Sequence, residues 1–274
     1  SCGVGSSPPL SFLRNVLNFA MVLSFFGFHA KLLIIGYICC SDFENGHMKD
    51  IIDFLQRLER NNNREWFAEP KKEYQAVNQE FMEFTEQLIG GIASFDDSVA
   101  GLTPKDCTYR IYRDTRFSNN KLPYKTHMGA FICKGGKKSG NAGYYFHLEP
   151  TSEDYIGGNM LSAGIYMPEP SVLRSLREDI CYNGEEFLSM VRKAEHSGFV
   201  LDTDDKLKRV PVGFPADSPY AEYLKFKHIN VMQFIDEAFI LAPDLVGRVV
   251  EMFSSTADLI RHLNRAVDYA REEM

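Results

Sequence analysis

The spacing of apolar residues predicts helices at the two ends of the segment that runs from Met48 to the C-terminus. Near its start, apolar residues recur every three or four positions, which is typical of a helix with one buried face: Ile51, Ile52, Leu55 and Leu58. A second stripe predicts a longer helix that ends or frays at Gly90-Gly91: Tyr74, Val77, Phe81, Phe84, Leu88 and Ile92. Further helices are predicted at 170–181, 184–194, 220–227 and from Leu245 onward, with a break near Ser254-Ser255.

Between these helices the pattern changes to one that is typical of β-strands. Aromatic and β-branched residues concentrate in short segments bounded by turn-forming residues, at 107–114, 127–135, 143–150, 160–167 and 231–240. Most connections are too short for parallel crossovers, so neighbouring strands are expected to be antiparallel. We therefore predict an α+β fold, with one mainly antiparallel sheet of about five strands flanked by N- and C-terminal helices. No linker divides residues 48–274, and we predict a single domain there.

Residues 1–47 have a different character. The stretch 16–40 is apolar and long enough to cross a bilayer, but His29 and Lys31 fall near its middle, where a charge is costly. No small-residue cleavage site follows it, which disfavours a secretory signal peptide. We expect the functional protein to begin near Met48 and to be cytoplasmic, with the preceding residues an upstream remnant. The alternative is a hydrophobic anchor at 16–40 that holds the protein at a membrane.

Charge is distributed unevenly along this acidic chain. Its formal net charge is −7, which disfavours nonspecific binding of the whole protein to nucleic acid or to anionic membranes. Residues 105–138 nevertheless contain nine lysines and arginines against two aspartates, a local charge of +7. The six cysteines lack CxxC or zinc-finger spacing, and buried free thiols in a reducing cytosol are the simplest interpretation. No metal and no cofactor is predicted from these patterns.

The basic segment centres on the stretch TYRIYRDTRFSNNKLPYKTH, residues 108–127. Arginine presents a planar fork that matches carboxylate or phosphate, and lysine adds a point charge. Strand alternation places Arg110 and Arg113 on opposite faces, so a shared site requires the chain to turn back through 118–120. With that return, the predicted ligand-binding residues are Arg110, Arg113, Arg116, Lys121, Tyr124 and Lys125.

Two residues of the same segment are candidates for proton transfer. Asp114 can orient an arginine, or act as an acid or base if its pKa is raised. His127 is the natural proton carrier of the segment, because imidazole titrates near neutral pH. We predict Asp114 and His127 as the catalytic residues if the protein is an enzyme, which the sequence alone does not decide.

Several motifs are shared with one protein family. They are FLxxLxxNNxREWF at 54–67, RIYRDTRFSNNKLPYKTH at 110–127, YYFHLEP at 144–150, the turn at 164–168, and KRVPVGFP at 208–215. On these residues the chain resembles an uncharacterised family of bacterial and fungal proteins, catalogued as domain of unknown function 2461. The resemblance runs from about Ile51 to the C-terminal helix and leaves residues 1–47 outside. It implies that the basic segment is a site common to the family, and it implies no reaction.

Three functions remain open at this point. The preferred one is a pocket for a phosphate or carboxylate group at the basic segment, in a binding protein or in an enzyme that acts on a small anionic substrate. The second is a single-stranded nucleic-acid-binding module, since tyrosines and phenylalanines interleave with the basic residues and can stack on bases. The third is a structural or interaction protein whose charges satisfy one another, so that changing Arg113 or Asp114 reduces stability rather than binding.

Overall fold

The computed structural model describes residues 46–150 and 158–272, all within one compact unit of the chain. The apolar stretch 16–40, with its two interpretations, lies outside the described residues. Among the helices that the structure describes, none is both long and apolar enough to cross a bilayer.

The N-terminal part of the domain is helical, as the apolar spacing predicts. Its helices are α1 (Gly46–Arg60), α2 (Arg64–Ala68), α3 (Lys71–Ala93) and α4 (Pro104–Cys107). The predicted end at Gly90-Gly91 is wrong, because α3 continues through both glycines. A Cβ atom on Gly91 would lie 2.4 Å from Cγ2 of Val250, so this glycine allows another helix to approach closely rather than ending its own.

The described part of the chain contains one five-stranded antiparallel sheet, which confirms the predicted α+β fold. The strands are β1 (Met128–Cys133), β2 (Gly143–Leu148), β3 (Met160–Ile165), β4 (Val200–Leu201) and β5 (Ile229–Phe234). Their order across the sheet is β1-β2-β3-β5-β4, with every neighbouring pair antiparallel. Strands β1 to β3 fall within predicted strand segments. Strand β4 was not predicted, because two residues are too few to show a period.

The C-terminal half supplies the remaining described helices. They are α5 (Pro170–His196), α6 (Ala221–Leu224), α7 (Glu237–Ile240), α8 (Leu245–Ser254) and α9 (Ala257–Glu272). The two helices predicted at 170–181 and 184–194 are one helix, α5, which is kinked at Asn183. The strand predicted at 231–240 is wrong in its second half. There the Asp236 carboxylate caps α7 by accepting a hydrogen bond from the main-chain N–H of Phe239.

The segment 107–114, predicted as a strand, is not one. Its first residue ends α4, and a bend occurs at Ile111. The segment makes two isolated bridges: Thr108 with Ala130, and Tyr112 with Tyr124. The bend breaks the strict alternation of side chains that the sequence prediction assumed.

The sheet has two faces of different character. On one, which we call the core face, Tyr144, Phe146 and Leu148 of β2 are fully buried. Phe146 packs on Phe84 of α3 with 4.7 Å between ring centroids. On the other, which we call the open face, a cavity of about 900 Å³ is bordered by alternate strand residues: Phe131, Tyr145, His147, Ser162 and Met232.

Candidate functional site

Residues 108–127 form an irregular hairpin, which we call the basic hairpin. Main-chain hydrogen bonds hold its two arms together. The N–H of Lys125 donates to the carbonyl oxygen of Ile111 at 2.8 Å, and the N–H of Arg113 donates to that of Pro123 at 2.9 Å. The chain reverses between these pairs and brings Lys125 back beside the arginines, which is the return that a shared site requires.

Two residues from the N-terminal helical region anchor this hairpin. The side-chain amide of Asn62 donates to the carbonyl oxygen of Tyr124 at 3.0 Å and accepts from its N–H at 3.1 Å. The ring of Phe67 stacks on the Tyr124 ring with centroids 4.0 Å apart. Tyr124, one of the predicted ligand-binding residues, is therefore buried and serves as the attachment point of the hairpin. The sequence predictions did not include this role of Asn62, which lies in the motif at 54–67.

Three cationic residues of the hairpin influence one another electrostatically: Arg110, Arg113 and Lys125. We call them the cationic cluster. Burial lowers the pKa of Lys125 below its ordinary value, and the charges of the two arginines lower it further. The Lys125 ammonium lies 5.3 Å from the centroid of the Tyr109 ring, a cation–π contact. Within the part of the chain that the structure describes, none of the three makes a side-chain hydrogen bond or an ion pair.

Asp114 and Arg116 belong to the basic hairpin and form an ion pair with each other. The Arg116 guanidinium donates two hydrogen bonds to the Asp114 carboxylate, at 2.9 and 2.6 Å. These bonds, with the positive charges of Arg116 and Arg110, hold the pKa of Asp114 well below its ordinary value. The shift is opposite to the one that a proton-transfer role needs near neutral pH, and Arg116 is largely exposed.

Lys121 borders a second concavity, a groove of about 960 Å³ between the hairpin and α2. Its ammonium donates to the carbonyl oxygen of Thr115 at 2.9 Å. Arg64, Glu65 and Arg113 line the same groove, so its positive charge is partly offset by a carboxylate. The predicted ligand-binding residues are thus divided: Lys121 borders the groove, Lys125 does not, and Arg113 belongs to the cationic cluster and also lines the groove.

His127 belongs to a cluster of three side chains. The sequence predictions named His127 but not the other two members. Its Nδ1 atom lies 3.7 Å from Oε1 of Glu149, and Nε2 of His147 lies 3.2 Å from Oε2 of the same carboxylate. The two imidazole rings are 4.6 Å apart between centroids. The Tyr145 hydroxyl is 2.7 Å from Nδ1 of His147. We call His127, His147 and Glu149 the histidine–glutamate cluster.

The carboxyl group of Glu149 is held in its ionised form. Burial raises its pKa, but the interactions with the His127 and His147 imidazoles outweigh burial and keep the pKa well below its ordinary value. The Thr126 hydroxyl also donates to Oε1 at 3.3 Å. The cluster therefore places a fixed carboxylate between two imidazoles.

A signal for this cluster is present in the motif YYFHLEP. Tyr145, His147 and Glu149 are alternate residues at the end of β2, and alternate residues of a strand project to the same side. That periodicity would have grouped the three side chains. It would not have shown that His127, twenty residues earlier in the chain, meets them.

Tyr109 connects the cationic cluster with the open face. The Lys125 ammonium lies over its ring, and its main-chain N–H donates to the carbonyl oxygen of Gly129 at 3.2 Å. Gly129 is the β1 partner of His147 in the sheet. Tyr109, Tyr145 and His147 line the same cavity of about 900 Å³. Tyr109 therefore lies between Lys125, which contacts its ring, and the cavity that His147 also lines.

These features define an α+β protein in which an antiparallel sheet carries a cavity of mixed apolar and polar lining on its open face, near a cationic hairpin. The chain belongs to the family described as conserved hypothetical protein (DUF2461), whose model matches residues 50–262. The match confirms the family resemblance seen in the sequence motifs. No curated protein and no solved structure matches the chain.

Proposed function

We propose that the protein binds a small anionic ligand, through a phosphate or carboxylate group, at Arg110, Arg113 and Lys125. The observation that carries this proposal is Lys125, a half-buried lysine whose pKa is lowered by burial and by the charges of Arg110 and Arg113, with no carboxylate among the described residues at ion-pair distance. A half-buried ammonium group that is repelled by two neighbouring arginines opposes folding unless an anion neutralises it. Natural proteins tolerate such an arrangement mainly where it binds something.

The neighbouring cavity supports a ligand of small-molecule size. Its volume of about 900 Å³ lies within the range of small-molecule sites, and its wall combines apolar and polar side chains. A ligand whose anionic group is bound by Lys125 would extend past Tyr109, which contacts Lys125 and lines the cavity. We propose binding rather than catalysis by Asp114, because its pKa is lowered.

We further propose that the protein acts in the cytoplasm. The described cysteines Cys107, Cys133 and Cys181 are free, and the first two are buried. Burial raises the pKa of the Cys107 thiol to about 12, so the thiol stays protonated and unreactive. Free buried thiols are typical of proteins in a reducing compartment. Fractionation of source cells with an antibody to the protein would test this placement.

The binding proposal is tested by ligand-dependent stability. The purified chain is titrated with inorganic phosphate, pyrophosphate and citrate while thermal unfolding is followed. We expect saturable stabilisation by at least one of these anions, and an affinity about 10- to 100-fold lower in Arg113→Ala and Lys125→Ala, because each loses a charge-assisted bond. Lys134→Ala is the matched control, since Lys134 lies in the same basic segment but pairs with Asp268. Equal anion stabilisation in all four proteins would contradict the proposal.

A second candidate function is single-stranded nucleic-acid binding. Phe117 at the far end of the hairpin is 96% exposed, and Tyr112 is 45% exposed, so aromatic rings are accessible to solvent on the cationic hairpin. A short single-stranded oligonucleotide serves as the probe. Binding that falls steeply with salt and is weakened by Phe117→Ala would favour this function. Stabilisation by small anions that is unchanged in Phe117→Ala favours the first one.

A further inference from the structure

We infer a binding site for a first-row divalent metal ion, of the zinc or iron(II) class, at His127, His147 and Glu149. One nitrogen from each histidine and one carboxylate oxygen lie within 4.8 Å of one another. Two imidazoles and one carboxylate are the ligand set of many catalytic zinc sites and of non-haem iron(II) sites. This site goes beyond the anion-binding proposal and uses different side chains.

The separations between the donor atoms suit a common metal ion. Metal bonds to histidine nitrogen and carboxylate oxygen are about 2.0–2.2 Å long, so neighbouring donors around one ion stand roughly 3–3.5 Å apart. The Nε2 of His147 is 3.2 Å from Oε2 of Glu149, and Nδ1 of His127 is 3.7 Å from Oε1. These two distances end on different oxygens of the carboxylate, and the three donor atoms lie within 4.8 Å of one another, so the ligands would draw closer together around a bound ion.

The partners outside the three ligands orient them as in known metal sites. The Tyr145 hydroxyl lies 2.7 Å from Nδ1 of His147, which leaves Nε2 to face Glu149. The main-chain N–H of Glu149 donates to Oδ1 of Asn159 at 2.9 Å and fixes the backbone beyond the end of β2. Such outer partners set the tautomer and the direction of a ligating histidine.

The position of the cluster leaves room for exchangeable ligands. His127 directly precedes β1 and Glu149 directly follows β2, so all three ligands are held by two paired strands. The His127 side chain is 32% exposed, whereas those of His147 and Glu149 are 13% and 12% exposed. A site with three protein ligands and one solvent-accessible side resembles a catalytic metal site, in which one coordination position stays open for water or substrate. Structural metal sites are closed by a fourth protein ligand. A hydrogen-bonded network without metal is the competing explanation.

Metal titration of the full chain separates the two explanations. The purified protein is stripped with a chelator, then titrated with Zn²⁺ in a calorimeter and with Co²⁺ in a spectrophotometer. We expect one equivalent bound at this site, with visible Co²⁺ bands and without the charge-transfer band that thiolate ligands produce. His147→Ala and Glu149→Gln should lose this equivalent. Tyr145→Phe should bind about 10- to 100-fold more weakly, because only an outer partner is removed.

His196→Gln is the control for adventitious binding by a surface histidine, since His196 is exposed on α5 and should leave the titration unchanged. Circular dichroism checks that each variant is folded. If His147→Ala does not fold, Tyr145→Phe decides, since it deletes a single oxygen. The site is refuted if the parent chain binds neither ion, if thiolate bands dominate the Co²⁺ spectrum, or if Tyr145→Phe and Glu149→Gln bind as tightly as the parent.

Discussion

The two faces of strand β2 present a contrast within six residues. On the core face, Phe146 and Leu148 have no exposed surface, and the single polar group of Tyr144 is satisfied because its hydroxyl donates to Asp96 at 2.9 Å. On the open face, Tyr145 and His147 are partly exposed and are bonded to each other. One strand thus serves both the hydrophobic core and the candidate site.

Successive side chains of a strand point to opposite faces, so adjacent residues of β2 serve either the stability of the core or the candidate site. Residues that face α3 contribute by removing apolar surface from water, a term that depends on volume and shape. Residues that face the cavity gain little from burial and depend on hydrogen-bond geometry and charge instead. Substitutions on the two faces should therefore change different measurable quantities, even between adjacent positions of the same strand.

The largest effect is expected for Phe146→Ala on the core face. Loss of this buried ring leaves a cavity against Phe81 and Phe84, and the free energy of unfolding should fall by about 3–5 kcal/mol. Phe131→Ala is the matched variant on the open face, where the ring is half-buried, and it should cost well under half as much. Urea unfolding measures both. Equal losses would show that the open face is part of the core.

An intermediate effect is expected at Gly129, where the Tyr145 ring packs closely against β1. A Cβ atom on Gly129 would lie 2.7 Å from the Tyr145 hydroxyl oxygen, so Gly129→Ala must displace this ring from His147. We expect a loss of about 1–3 kcal/mol in unfolding free energy. If the metal site exists, Zn²⁺ affinity should also fall about 10- to 100-fold, as in Tyr145→Phe.

Gly90→Ala is the control for Gly129→Ala, because it should raise the free energy of unfolding rather than lower it. Nothing lies within 4 Å of a Cβ atom placed on Gly90, which is an exposed position of α3. Alanine should stabilise the helix by about 0.5–1 kcal/mol and leave metal affinity unchanged. The same substitution therefore changes sign between the two sites. A Gly129→Ala protein as stable as Gly90→Ala would show that the Tyr145 ring moves freely.

The elements that the sequence predicts correctly are those with a repeated local pattern. The stripes of α1 and α3 and the strands β1 to β3 each contain enough residues for a period to show. The basic hairpin follows no such pattern. Its conformation is fixed by Asn62 and Phe67, some sixty residues earlier in the chain, and contacts at that distance leave no periodic trace. Its first arm, within the segment 107–114, was therefore predicted as a regular strand, whereas the return through 118–120 was expected.

The candidate site was predicted in part for the same reason. A dense run of charge identified Arg113 and Lys125 from composition alone. The sequence could not show that Arg116 pairs with Asp114 while Lys125 makes no ion pair with a carboxylate of the described residues. Such pairing depends on where side chains point. His147 and Glu149 lay in a motif without excess charge, and only the pairing of β1 with β2 brings them to His127.

The smallest change in stability is expected for Lys125→Met at the edge of the open face, and its direction separates a binding site from a structural charge network. Methionine retains an apolar stem over the Tyr109 ring and removes the charge that Arg110 and Arg113 repel. At pH 7 the free energy of unfolding should be unchanged or higher by up to about 1 kcal/mol, while stabilisation by anions is lost.

The pH dependence of this difference follows from the lowered pKa of Lys125. Because the folded state binds the Lys125 proton more weakly than the unfolded state does, the protonated lysine destabilises the fold below its folded-state pKa. That penalty disappears as pH rises through the folded-state pKa toward the ordinary lysine value, so parent and variant should converge in alkaline solution. Urea unfolding from pH 7 upward measures this, with Lys134→Met as the control at an ion-paired lysine. A clear loss of stability in Lys125→Met at pH 7 would assign the cationic cluster to the structure of the hairpin instead.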